Sequence, residues 1–83
     1  MKLSTIDILN ARLLGRIIAS FEYRKEGDEG YDFYAAPYIG KPITKVSFGF
    51  NDDREDSGLL IFVKEVVDPV FVYDNEKIEL IEA

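Results

Sequence analysis

The apolar residues Ile6, Leu9, Leu13 and Ile17 recur at spacings of 3, 4 and 4, which places them on one stripe of a 3.6-residue helix. Asn10 and Arg12 lie off that stripe. Ser4-Thr5-Ile6-Asp7 has the capping-box pattern: a hydroxyl accepts from a free backbone N–H while the acid three residues on reaches back. The pattern predicts a helix starting here and ending near Gly15, a residue suited to stopping it.

Beyond that point the period changes from 3.6 to 2. Ile17, Ala19, Phe21 and Tyr23 share one parity while Ser20, Glu22 and Arg24 take the other, the alternation of a strand over residues 16–24. Lys25-Glu26-Gly27-Asp28-Glu29-Gly30 reads as a turn, so residues 16–24 and 31–38 are expected to pair as a first hairpin, with Pro37 at its end or on an edge. After the Gly40-Lys41-Pro42 breaker, Thr44, Val46, Phe48 and Phe50 alternate with Lys45, Ser47 and Gly49, as in a half-buried strand. A polar loop at 51–58 leads to residues 59–67, apolar on both parities like an interior strand, and the pair predicts a second hairpin. Asp68-Pro69 breaks the run, and residues 70–73, Asp74-Asn75-Glu76 and residues 77–81 form a third strand-turn-strand signal. The expected fold is α+β: an N-terminal helix packed on an antiparallel sheet of five or six strands in a hairpin meander.

Size and composition narrow this further. With 83 residues, 47% hydrophobic and 31% charged, the chain has the balance of a globular protein and room for one modest core, so residues 1–83 are expected to form a single domain. It has no cysteine, so disulfides and thiolate zinc sites cannot compensate for that small core. The first residues lack the long apolar run of a secretion signal, and no apolar stretch approaches the roughly 20 residues of a membrane helix. A cytoplasmic address without membrane contact is the resulting expectation.

The net charge of −6 is unevenly distributed. Residues 1–25 carry five basic against two acidic residues, a net of +3, whereas residues 26–83 carry five against fourteen, a net of −9. Such a surface repels nucleic acid and attracts basic proteins within a reach of roughly 8–10 Å. Direct nucleic-acid binding is therefore not expected.

Catalytic chemistry has little to build on. There is no histidine to move protons near neutral pH, and a serine without a nearby base is a poor nucleophile. Adjacent acids such as Asp52, Asp53, Glu55 and Asp56 are ordinarily just solvated, whereas acid catalysis needs one carboxyl raised by burial. Read as a calcium loop, Asn51–Gly58 lacks glycine at position six, and Phe62 stands where a glutamate would close it. Gly27 and Gly30 have no following Lys-Ser/Thr and sit among acids, so a phosphate would be repelled. No metal, no cofactor and no enzymatic activity are expected.

Tyr23, Tyr31, Phe33, Tyr34 and Tyr38 cluster beside Glu26, Asp28, Glu29 and Asp32, and tyrosines combine large contact area with a polar tip. The same residues also suit strands whose one parity is core. The candidate recognition surface is Tyr31, Asp32 and Tyr34, with Asp28, Glu29, Asp52, Asp53, Glu55 and Asp56 as surrounding charge. Three readings result. The first is an acidic binding module, such as an inhibitor, immunity or anti-defence factor, docking on a basic, nucleic-acid-facing site of a larger protein. The second is a structural or regulatory homodimer covering a second apolar sheet face. The third is a small carboxylate-based enzyme or ligand-binding module.

Overall fold

The computed structural model describes residues 2–82. Helix α1 spans Thr5–Leu13; strand β1 spans Ile17–Phe21; a single helical turn, α2, spans Tyr31–Tyr34 and runs into a 3-10 turn at Ala36–Tyr38. Strands β2 (Ile43–Asn51), β3 (Asp56–Val63), β4 (Val70–Tyr73) and β5 (Ile78–Ile81) complete the chain. The α+β class holds, but the strands do not form one sheet. β2, β3 and β4 make a three-stranded antiparallel meander, and β1 pairs with β5 in a separate two-stranded ribbon.

Helix α1 begins where the capping box places it: the Ser4 hydroxyl accepts from the Asp7 N–H and the Asp7 carboxylate accepts from the Ser4 N–H. It ends before Gly15, whose φ of +83° suits a residue without a side chain. No α1 residue is fully buried; Ile6 and Leu13 pack against the core from the stripe. Asn10, off the stripe, makes the most specific contact. Its Nδ2 donates to the Val46 carbonyl at 2.9 Å and its Oδ1 accepts from the Val46 N–H at 2.8 Å. One side chain thus satisfies both outward-facing main-chain groups of a β2 residue, as a neighbouring strand would.

The second predicted hairpin forms with one refinement. β2 pairs with β3 in a register that matches Val46 with Ile61 and Asn51 with Asp56. Asp56, Ser57 and Gly58, expected in the loop, belong to β3, which stops at Val63 rather than Val67. The chain turns at Glu65, with φ +72°, and Val67 is fully outside.

The first and third hairpins do not form. Residues 31–38 are helical turns, and β1 takes β5 as its partner, matching Ile17 with Ile81 and Phe21 with Ile78. Strand propensity of the tyrosines is outweighed locally by the left-handed Gly30, two alanines and Pro37 in the first turn of the 3-10 segment. β4 likewise turns away from β5 and pairs with β3, Leu59 facing Val72 and Ile61 facing Val70. The ribbon joins the meander through main-chain bonds between the Arg16–Ile18 and Gly40–Ile43 segments.

The core lies between the ribbon and the meander. Ile18 and Phe21 from β1 meet Ile43 and Val46 from β2, Ile61 and Val63 from β3, and Val70 and Val72 from β4, with Ala35 and Tyr38 closing one end. Burying aliphatic side chains of this size contributes roughly 1.5–3 kcal/mol each before entropy is counted.

Candidate functional site

The segment between β1 and β2 leaves the ribbon and folds back along β4. A cleft of about 490 Å³ lies between them, lined by residues of the 23–38 segment, by Pro69, Val70, Phe71 and Tyr73 and by Asn51 at the end of β2. All five tyrosines of the chain, Tyr23, Tyr31, Tyr34, Tyr38 and Tyr73, line it, and Asp28 and Glu29 stand in its wall.

Arg24 builds the floor. It stands three residues beyond β1, and its guanidinium donates from Nη1 to the Tyr34 carbonyl at 2.6 Å and from Nη2 to the Phe71 carbonyl at 2.6 Å and the Glu76 carboxylate at 2.7 Å. The Arg24 and Glu76 side chains are only 16% and 6% exposed, and the guanidinium also stacks 4.7 Å from the centre of the Phe21 ring. One cation thus ties α2, β4 and the β4–β5 turn to β1, in the forked geometry only arginine provides. Because Glu76 neutralises it, Arg24 does not turn the cleft into an anion site.

The aromatic walls are fixed in turn. The Tyr38 hydroxyl donates to the Pro69 carbonyl at 3.3 Å, and burial, together with the charge of Asp68, raises its pKa above 10.0 against the opposing effect of Arg24. Asn51 Nδ2 donates to the Tyr73 hydroxyl, and the Tyr73 ring lies 4.8 Å from that of Phe71. Phe71 rests on two glycines: a Cβ at Gly49 would stand 2.7 Å from its ring, and one at Gly58 would collide with the Val72 carbonyl. Gly30 has φ +80°, and a Cβ there would press on the Tyr34 ring at 2.9 Å. These glycines let the aromatic rings settle against main chain.

The expected surface is therefore partly assembled. Asp28, Glu29, Tyr31 and Tyr34 come together in the cleft, whereas Asp32 lies on the outer side of α2 and does not line it. Asp28 has a local role as well, since its carboxylate accepts from the Lys25 N–H. Asp52, Asp53 and Glu55 occupy the exposed β2–β3 turn, and Asp56 opens β3. The Asn51 carbonyl oxygen of the side chain accepts from the N–H groups of Asp53 and Arg54, so the turn is held by its own side chain. Arg54 pairs with Asp56 at 3.4 Å and stacks 4.6 Å from the centre of the Tyr73 ring, which joins this turn to the cleft's edge.

Sequence reasoning missed Arg24, Tyr73, Phe71 and Asn51. Tyr73 and Arg24 are 49 positions apart and belong to two different predicted hairpins, so no local pattern connects them. Among the described residues, no three acidic side chains stand close enough to hold a metal ion, and no helix is long and apolar enough to cross a membrane. Compared with family models, characterised proteins and solved structures, the chain matches none of them, so its own geometry carries the functional argument.

Proposed function

We propose that the protein is an acidic binding module whose tyrosine cleft receives lysine or arginine side chains from a basic face of a larger protein, one that otherwise faces nucleic acid. The observation that carries this reading is the convergence of every tyrosine in the chain on one cleft with Asp28 and Glu29 in its wall. Aromatic faces attract cations by about 0.5–2 kcal/mol each depending on desolvation, and carboxylates beside them add charge attraction. Arg24, the only basic side chain lining the cleft among the described residues, is already neutralised by Glu76, which leaves the site biased toward cationic guests. The net charge of −6 favours fast, salt-sensitive encounter with such a partner and disfavours nucleic acid itself. An inhibitory or immunity role, in which this surface masks a nucleic-acid site, is the form of the proposal that best uses the charge.

The test is a calorimetric titration with an arginine-rich peptide at low and high salt. Binding that weakens with salt, and falls about tenfold or more in Tyr34→Ala and in the double variant Asp28→Asn/Glu29→Gln, supports the proposal. Absence of binding at low salt, or binding indifferent to those substitutions, refutes it.

A further inference from the structure

We propose that two copies of this chain pair through the outer edge of β2 at Phe48–Phe50, forming a two-fold dimer centred on Gly49. The inference stands apart from the cleft and rests on which main-chain groups of β2 are used. Val46 turns its N–H and C=O away from β3, because both are held by Asn10. Residues of the same parity in an antiparallel strand turn the same way, so Phe48 and Phe50 direct theirs to that outer edge too. Among the described residues, β2 pairs only with β3 along this stretch, and neither Phe48 nor Phe50 has a main-chain or side-chain hydrogen-bond partner on the outer side. The two side chains are 58% and 59% exposed.

An uncovered edge flanked by exposed phenylalanines is the feature soluble proteins ordinarily protect with charge, proline or a covering element. Here Asn10 holds the Val46 groups, and among the described residues no hydrogen-bond partner holds those of the next two outward-facing residues.

One register keeps the pairing within β2 and away from the occupied Val46 groups. Antiparallel pairing about Gly49 sets Phe48 of each copy opposite Phe50 of the other, so each pair exchanges two N–H···O bonds. Shifting by two residues toward the strand's start would require the Val46 groups that Asn10 already occupies. In the same register the four phenylalanine rings meet across the new strand pair, where aromatic pairs are favourable. Lys45 of each copy comes beside the acidic Asp52–Asp53 turn of the other, and both are exposed in the single chain. This self-complementarity of bonding, aromatic contact and charge selects a second copy over an unrelated strand. The surface is a strand edge, distinct from the sheet face anticipated for a dimer from the sequence.

The test is sedimentation over a wide concentration range combined with hydrogen exchange. The expected result is a rise in mass from 9.5 kDa toward twice that value, with the Phe48 and Phe50 amides becoming protected as the dimer forms and the Val46 amide protected throughout. Phe48→Lys places a charge on the edge, and Phe50→Pro removes an outward N–H that β3 does not use; both should return the protein to a monomer while retaining its fold by circular dichroism. A chain that stays monomeric at every concentration overturns the proposal. So does a dimer that survives both variants, or one whose newly protected amides lie elsewhere.

Discussion

Arg24 and Asn10 are polar side chains that do the work of secondary structure. Arg24 donates to two main-chain carbonyls and one carboxylate from a mostly buried position, so removing it leaves Glu76 as an unpaired acid and frees the α2 and Phe71 carbonyls together. Arg24→Ala is expected to cost about 3 kcal/mol in denaturant unfolding, and Arg24→Lys to recover only part of that, because an ammonium cannot reach three acceptors in a fork. Asn10→Ala strands both Val46 groups and is expected to cost about 2 kcal/mol, whereas Asn10→Asp should restore only the acceptor half of the pair. Tyr38 links stability to alkaline pH. Its neutral form is favoured in the folded protein, so its contribution is complete below pH 10.0 and is lost as pH rises through the higher folded-state value. A thermal-melt series should show this alkaline decline in the native protein and a shallower one in Tyr38→Phe.

At the scale of elements, what could be read from the sequence was local and what could not was the choice of partner. The α1 cap follows from four consecutive residues and the helix from its apolar stripe, and the β2–β3 hairpin follows from an alternating run and an apolar run around a polar turn. Strand segments at β1, β4 and β5 were also visible as apolar runs. Their pairing was not, because β1 with β5 joins residues about 60 positions apart, and antiparallel alternation looks the same whichever strand lies opposite. Residues 31–38 depart from the strand expectation for a related reason: tyrosines favour strands only where a neighbouring strand is available, and β5 takes that place beside β1. The cleft inherits both limits. Asp28, Glu29, Tyr31 and Tyr34 are near in sequence and were found; Arg24, Phe71 and Tyr73 meet them only through long-range pairing. The helix cap offers an acid-side prediction. The Ser4 hydroxyl and N–H hold the Asp7 carboxyl below its ordinary value of 3.8, so the contribution is present above that pH and is lost as pH falls through the lowered folded value. Ser4→Ala should reduce stability by about 1 kcal/mol at neutral pH and flatten the acid limb of a stability-versus-pH curve.

At the scale of the molecule, a small scaffold holds two surfaces with different logic. One is concave, aromatic and edged with carboxylates; the other is a bare strand edge whose groups complement themselves. Phe48 and Phe50 do not line the cleft, and Tyr31, Tyr34, Asp28 and Glu29 are not on the β2 edge, so substitutions at one set should leave the other surface intact. The uneven charge matters here: the −9 carried by residues 26–83 includes the acids at the cleft and in the β2–β3 turn, while Arg24 is consumed internally. The most direct measurement of the central claim is a chemical-shift map of the labelled protein titrated with an arginine-rich peptide. The account predicts the largest changes at Tyr31, Tyr34, Tyr73, Asp28 and Glu29, saturating together and fading with added salt. Changes spread evenly over all exposed acids, or confined to the β2 edge, would contradict it.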